Sequence, residues 1–193
     1  RRCGEYLATS DIDVVRQFVD VQIDTLRRVQ PGQRDSVPIS NLKSWLREFE
    51  AELAWGHFGI GMDHIHHLRL RFYTGAVFPE YPDPIDDVQP IVTLMERVKP
   101  TIVTLALDPE GTGPDTHFKT LIALWQALEH YTRGHPEQHV RVWGYRNVWS
   151  RFHPAEVSMI IPVSLNSFAV LHSMFNTCFL SQRSASFPSP QFD

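Results

Sequence analysis

A short segment of the sequence carries the side chains best suited to chemistry. Asp108, Asp115 and His117 lie in a stretch that also contains two glycines and two prolines, Gly111, Gly113, Pro109 and Pro114. Carboxylates can move protons or orient a ligand, and a neutral imidazole can bind a metal ion. The alternative is an ordinary turn between a strand and a helix, with an aspartate as the helix cap and a solvated histidine.

The elements around this loop predict where it lies. Residues 101–107 form an apolar, β-branched run, which is typical of a strand buried on both faces of a parallel sheet. Residues 116–133 carry a helical apolar stripe, with Asp115 or Thr116 as the cap. Ligands of open parallel sheets bind beyond the carboxyl ends of the strands. We therefore expect the loop to lie at a binding site, with His117 in the first turn of the helix, where the dipole favours neutral imidazole.

The remaining apolar patterns alternate between helix and strand periods. We expect further strands at residues 64–72, 140–145 and 157–163, and further helices at residues 11–29, 41–57, 88–98 and 165–182. This alternation predicts an α/β fold, a Rossmann-like layered sheet that is mostly parallel and has helices on both faces. Because the order begins with a helix, we expect the first βα unit to be missing. Residues 1–193 would then be a single domain and a fragment of a longer chain.

Composition narrows the classes of function. The chain has 193 residues, 18 Lys and Arg against 22 Asp and Glu, and a formal charge of −4. The absence of a basic excess argues against nucleic acid as a partner. No apolar stretch reaches the ~20 residues of a membrane span. Cys3 and Cys178 cannot form a disulfide framework, which favours a reducing, cytoplasmic location.

Two other sets of polar side chains could bind a ligand. Arg47 and Glu50 lie three residues apart on the predicted helix 41–57. They could form a surface ion pair, or Arg47 could hold a sugar hydroxyl or phosphate through its planar guanidinium. His64 and His66 could chelate a metal ion, but only Asp63 stands near them as a third ligand, so packed or exposed histidines are the favoured interpretation.

Several segments match one pattern when they are taken together. They are residues 46–54, 58–60 and 67–73, then residues 99–117 with an Asp-Pro-x-Gly-x-His loop lengthened by residues 113–115, and finally residues 143–149 and 181–188. This set resembles the PIG-L/LmbE-type deacetylases, zinc-dependent enzymes that remove N-acetyl groups from N-acetylglucosamine-containing substrates. The last two segments resemble the branch of that family that is fused to a glucosamine-6-phosphate deaminase-like domain.

The resemblance implies roles for individual residues. His117 matches the second histidine ligand of the zinc ion, and Arg47 matches the arginine that contacts the sugar. Asp108 or Asp115 would orient a ligand or assist proton transfer. The family's His-Pro-Asp-Asp-Glu segment, which supplies the other zinc ligands and the general base, has no match in this sequence.

Two functions follow as expectations. The first is a zinc-dependent hydrolase-like domain that removes N-acetyl groups from N-acetylglucosamine-type sugars and is incomplete as given, so that Zn²⁺ binding requires the missing amino-terminal ligands. The alternative is a catalytically silent sugar- or phosphosugar-binding domain of a larger protein. Under either function the expected partner is an amino-sugar small molecule, and an additional domain or a second copy of the chain could be a further partner.

Overall fold

The computed structural model describes residues 1–30, 33–73, 80–146 and 151–182. The chain divides into two compact units, one formed by Arg1–His67 and Pro162–Asp193 and the other by Leu68–Ile161. We call them the first and the second unit. Residues 147–149 and 183–188, which contribute to the family resemblance, lie outside the described residues. The expectation of a single domain stays a prediction.

Six helices and two strands make up the regular structure of the described residues. The helices are α1 (Arg2–Leu7), α2 (Ile12–Leu26), α3 (Val37–His57), α4 (Gln89–Val98), α5 (Asp115–Gly134) and α6 (Leu165–Cys178), and the strands are β1 (Ile102–Ala106) and β2 (Arg141–Tyr145). Short 3₁₀ turns occur at Met62–His64 and Leu180–Gln182, and one π-helical turn at Pro84–Val88 leads into α4. Over the described ranges, none of the helices combines the length and apolar character needed to cross a membrane.

The first unit contains α1, α2, α3 and α6. Asp11 caps α2 by accepting a hydrogen bond from the Asp13 N–H at 2.9 Å. The helix α1, which the sequence analysis did not predict, is held by Arg2. The Arg2 guanidinium donates to the Trp45 carbonyl at 3.1 Å and to the Glu52 carboxylate on α3. This short helix therefore depends on contacts with residues of α3 that lie 43 and 50 positions after Arg2.

The second unit contains α4, β1, α5 and β2 and confirms the α/β fold. The strands β1 and β2 are parallel, with Ile102 opposite Arg141 and Ala106 opposite Tyr145. The helix α5 lies between the two strands in the sequence, as a parallel connection requires. The strands predicted at residues 101–107 and 140–145 and the helix predicted at residues 116–133 are confirmed within one or two residues at each end.

Helices α4 and α5 supply most of the core of the second unit. Ala123 and Ala127 on α5 are fully buried, and these small side chains let α4 approach closely. The Tyr131 ring is also buried, and its hydroxyl donates to Gln138. The other buried members of this core are Leu70, Phe72, Val88, Ile91, Val92, Met95 and Leu128.

Two predicted strands are wrong. Residues 64–72 form no strand, because Arg69 adopts a left-handed backbone conformation (φ 52°) and the Arg71 N–H donates to the buried Asp87 carboxylate. The alternation of Leu70 and Phe72 does reflect burial, but the burial is of an irregular segment. Residues 157–163 also form no strand. Apart from the half-buried Val157, their apolar side chains stay exposed, with Ile160 at 83%, and Pro162 has no N–H to donate.

The burial predicted for β1 is also wrong in part. Leu105 is buried, but Ile102 is 40% exposed and Thr104 is exposed as well. Among the described residues β1 pairs only with β2, so the sheet there has two strands. The strand β1 therefore has a neighbouring strand on one side only. Apolar β-branched composition alone did not distinguish this strand from one inside a wider sheet.

Candidate functional site

A cavity of about 290 Å³ lies in the second unit, beside the ends of both strands. The strands β1 and β2 end at Ala106 and Tyr145, which face each other across the parallel pair. The cavity is therefore at the carboxyl edge of the sheet, where ligands of parallel α/β folds bind. Its described lining residues are Tyr73, Thr104, Leu105, Ala106, His117, Thr120, Leu121, Leu124 and Tyr145.

One face of α5 forms a wall of this cavity. His117, Thr120, Leu121 and Leu124 follow at spacings of three, four and seven residues, which place them on the same side of a helix. The position of His117 in the first turn of α5 confirms the sequence-based expectation. The expected side-chain cap is wrong, because Pro114 is the N-cap and no side chain accepts a hydrogen bond there.

The chemistry of the lining is aromatic and hydroxylic. Tyr73 and Tyr145 are 56% and 54% exposed, so two rings with polar ends are open to a ligand. Thr104 and Thr120 add hydroxyl groups, and the Tyr73 and Thr120 hydroxyl oxygens are 3.1 Å apart. No Lys, Arg, Asp or Glu is present among the described lining residues. Such a surface suits a small polar molecule without a formal charge at this point.

The loop after β1 is organised by Asp108, which is 6% exposed. One carboxylate oxygen accepts from the Thr112 N–H at 3.1 Å and the Thr112 hydroxyl at 2.7 Å, and the other accepts from the Gly113 N–H at 2.7 Å. These donors, the Thr112 hydroxyl first, hold the pKa of Asp108 below its ordinary value of 3.8. The geometry shows a carboxylate that folds the loop, and Asp108 does not line the cavity.

An ion pair joins the same loop to the end of β2. The Arg146 guanidinium donates to both carboxylate oxygens of Glu110, at 2.5 and 2.9 Å, and to the Leu107 carbonyl at 3.1 Å. The guanidinium also lies 5.0 Å from the centre of the Phe152 ring. The hydrogen bond to Arg146 lowers the pKa of Glu110, and the same bond raises the pKa of Arg146. This bidentate pair fixes the loop against the sheet edge.

The other predicted site residues are not among the described lining residues of the cavity. Asp115 is the first residue of α5, and its carboxylate pairs with the Lys119 ammonium at 2.5 Å. Asp115 is not a lining residue of the cavity. Arg47 is an exposed residue of α3 in the first unit, whereas His117 belongs to the second. The proposed roles of Arg47, Asp108 and Asp115 therefore stay predictions.

Sequence reasoning missed Tyr73, Thr120 and Tyr145 as site residues. Thr120 could have been predicted as a site residue, because it follows His117 by three residues on a predicted helix. Tyr145 could have been predicted as well, because it ends a predicted strand. Tyr73 had no such signal, since it directly follows residues 64–72, a predicted strand that does not form.

A zinc ion needs more ligands than the described side chains bring together. Zinc sites in proteins use three or four His, Cys, Asp or Glu ligands that converge on the ion. Within the described ranges, no group of three or more such residues is placed to hold a metal ion. The described residues by themselves therefore do not fit zinc, and His117 could be at most one ligand of a site completed by other residues.

The fold is α/β, and a cavity lies at the carboxyl edge of its parallel strand pair. The chain is 26% identical over 161 residues to a glucosamine-6-phosphate deaminase-like protein of Bacteroides thetaiotaomicron. That match covers 81% of this chain but only 24% of the relative, so the chain spans about a quarter of that protein's length. No protein-family model and no solved structure matches the chain.

Proposed function

We propose that this chain is the amino-sugar-binding part of an N-acetylglucosamine deacetylase-like protein, and that the carboxyl-edge cavity of the second unit holds the sugar. The single observation that carries the proposal is the composition of that cavity. Two exposed tyrosine rings, Tyr73 and Tyr145, stand beside the Thr120 hydroxyl and the His117 imidazole. The name of the Bacteroides relative supports an amino sugar as the ligand class.

The shape and chemistry of the cavity suit one sugar ring. Ligand pockets in proteins commonly measure ~300–1,000 Å³, and the volume here, about 290 Å³, is at the small end. A sugar has apolar C–H faces that pack on aromatic rings and hydroxyls that need hydrogen-bond partners. The rings of Tyr73 and Tyr145 supply the first kind of contact, and the hydroxyls of Thr104 and Thr120 supply the second.

Deacetylation is the finer part of the proposal and depends on residues beyond the described set. A bound zinc ion would polarise the amide carbonyl and activate water. Since the described residues do not assemble three ligands, we assign no catalytic step to them. His117 is proposed to face the bound sugar, and its role as a zinc ligand rests on the resemblance and requires partners elsewhere in a longer protein.

The same donor set favours a second candidate, a catalytically silent amino-sugar-binding domain. A binding domain needs the cavity but no metal ligands, and the described residues provide only the former. A phosphosugar receives less support than an uncharged sugar. Phosphate is usually held by Arg, Lys or helix N-terminal N–H groups. The first turn of α5 borders the cavity, but no Lys or Arg is present among the described lining residues.

Calorimetric titration of the chain with N-acetylglucosamine tests the binding proposal. Wild-type protein is expected to bind the sugar, and Tyr145→Ala is expected to weaken binding by about tenfold, because an aromatic contact contributes ~1 kcal/mol or more. Trp125→Ala is the matched control, since Trp125 is an exposed aromatic residue of α5 that does not line the cavity. No binding by the wild type, or equal losses in both variants, would contradict the assignment.

A further inference from the structure

We propose that Tyr73 determines which end of the ligand enters the cavity, because its phenol oxygen is restricted to accepting hydrogen bonds. A sugar in the cavity would then present a hydroxyl or an amide N–H to Tyr73, and not a carbonyl or phosphate oxygen. This inference rests on the proposed function, since it takes the ligand to be a sugar in this cavity. It names Tyr73 as a specificity-determining residue and states that Tyr73 accepts the hydrogen bond from the ligand instead of donating it.

The argument begins with the single proton of the Thr120 hydroxyl. The Thr120 oxygen lies 2.8 Å from the Thr116 carbonyl oxygen, one turn earlier in α5. A carbonyl can only accept, so the Thr120 hydroxyl must donate its proton there. The threonine has no second proton, and any further hydrogen bond at this oxygen must be one that Thr120 accepts.

The Tyr73 hydroxyl makes that further bond. The Tyr73 and Thr120 oxygens are 3.1 Å apart, within hydrogen-bond distance. Because Thr120 has already donated its proton to Thr116, Tyr73 must be the donor in this pair. The backbone of α5 thus sets the direction of a chain of two bonds, from Tyr73 to Thr120 and from Thr120 to the Thr116 carbonyl.

The group that a ligand can present to Tyr73 depends on the hydrogen bonds that the phenol oxygen can still make. With its proton engaged, the Tyr73 oxygen offers only lone pairs. Tyr73 lines the cavity and is more than half exposed, so these lone pairs are accessible to a bound molecule. A ligand carbonyl or phosphate oxygen at the same place would bring one acceptor next to another, the Tyr73 oxygen. Either both oxygens would then lack a proton, or Tyr73 would have to give up its hydrogen bond to Thr120, and each alternative costs affinity.

A ligand-free measurement tests whether the Tyr73 hydroxyl is hydrogen-bonded to Thr120. The chain is labelled with ¹³C at the ring carbon that bears the tyrosine hydroxyl, and the Tyr73 signal is followed by NMR. Thr120→Val removes the acceptor and is expected to shift the Tyr73 signal, while Thr120→Ser restores the oxygen and the wild-type position. Thr132→Val is the matched control. Thr132 makes the same bond to the carbonyl one turn earlier in α5, at 2.8 Å, and does not line the cavity.

A ligand cycle tests the specificity role. The probes are N-acetylglucosamine and its analogues in which one hydroxyl is replaced by fluorine, or the amide N–H by N-methyl, so that each analogue lacks one donor. Tyr73→Phe is expected to weaken binding of N-acetylglucosamine by roughly two- to tenfold. One analogue is expected to show a similar loss with wild-type protein and no further loss with Tyr73→Phe. Tyr81→Phe is the control, because Tyr81 is an exposed tyrosine of the same unit outside the described lining.

The outcomes separate this inference from the proposed function. Binding of N-acetylglucosamine that is unchanged by Tyr73→Phe overturns the role of Tyr73 and leaves the sugar site standing. The role of Tyr73 is also overturned if its NMR signal does not shift in Thr120→Val. It is likewise overturned if every analogue loses affinity by the same factor in wild-type and Tyr73→Phe protein. No binding of any probe by wild-type protein overturns the sugar site and, with it, the ligand contact proposed for Tyr73.

Discussion

Thr112 donates two hydrogen bonds to the same carboxylate oxygen of Asp108, one from its N–H at 3.1 Å and one from its hydroxyl at 2.7 Å. With the Gly113 N–H on the other oxygen, Asp108 closes the loop that follows β1. The sequence marked Asp108 as a candidate for proton transfer. Its geometry is that of a residue that shapes the loop at the edge of the sheet, beside the cavity-forming strands.

The first prediction concerns acid stability. The pKa values of Asp108 and Glu110 are lowered in the folded chain from ordinary values of 3.8 and 4.5. Their contribution to stability is therefore present above those values and is lost as the pH falls through the lowered pKa values, because the unfolded chain binds protons first. Urea unfolding midpoints are expected to fall with pH below about 4.5. Thr112→Val should flatten that fall, since it removes the main cause of the Asp108 shift.

The matched control for this prediction is Thr25→Val. The Thr25 hydroxyl donates to the Val21 carbonyl on α2, and within the described ranges it has no hydrogen bond to a carboxylate. This variant is expected to keep the wild-type dependence on pH. If Thr112→Val and Thr25→Val gave the same profile between about pH 2 and pH 5, the Asp108 loop would not be a source of the acid sensitivity.

The second prediction concerns the contact between β2 and the residue after β1. A Cβ at Gly144 would lie 2.8–2.9 Å from side-chain atoms of Leu107, one of them the Leu107 Cβ, which cannot swing away. Gly144→Ala is expected to lower the free energy of unfolding by about 1–3 kcal/mol. That cost exceeds the ~0.4–1 kcal/mol that the loss of unfolded-state entropy would contribute.

Two further variants check the cause of that effect. Adding Leu107→Ala to Gly144→Ala should recover part of the loss, because it removes the atoms that clash, except for the Leu107 Cβ itself. Gly134→Ala should have the opposite sign and stabilise α5 by about 0.5–1 kcal/mol, since no atom lies within 4 Å of an added Cβ there. Equal effects of Gly144→Ala and Gly134→Ala, measured by urea unfolding, would refute the close contact.

The third prediction concerns the packing of α4 on α5. Ala127 is fully buried between these helices, so Ala127→Leu should destabilise the chain by about 1–3 kcal/mol. The neighbouring Gln126 is exposed, and Gln126→Leu is expected to change stability by less than about 0.5 kcal/mol. A thermal unfolding series on both variants decides the point, and a neutral Ala127→Leu would mean that the core has space that the structure does not show.

The fourth prediction concerns zinc. Because the described residues do not bring three ligands together, the chain is expected to retain much less than one equivalent of zinc after dialysis, and His117→Ala should not change that content. Metal analysis of both proteins provides the measurement. One equivalent of zinc in wild-type protein that is lost in His117→Ala would instead make His117 a metal ligand and favour the deacetylase over the silent binding domain.

The parts of the fold that were predictable are those whose signal is local. The sequence predicted β1 from the apolar run of residues 101–107. It predicted the Asp108 loop from the glycines and prolines after that run, and α5 from the apolar stripe of the following helix. Each of these features depends on neighbours within a few residues. The position of His117 in the first turn of α5 followed from the same segment.

The parts that were not predictable depend on partners far apart in the sequence. The alternation in residues 64–72 is that of a strand, but the Arg71 N–H bonds to Asp87 instead of to a neighbouring strand. The helix α1 depends on Arg2 reaching α3. The hydrogen bond between Tyr73 and Thr120 joins residues 47 positions apart, so no local pattern indicates that they share a cavity.

The measurement that tests the central claim most directly is the detection of intermolecular NOEs between N-acetylglucosamine and the ¹³C-labelled chain. The account predicts NOEs from the sugar protons to the Tyr145 ring and to the Leu121 and Leu124 methyl groups, which line the carboxyl-edge cavity. The NOEs to the two leucines should weaken in Tyr145→Ala, and all of them should persist in Trp125→Ala. NOEs that connect the sugar only to residues outside the cavity, or none at a saturating sugar concentration, would contradict the assignment of this cavity as an amino-sugar site.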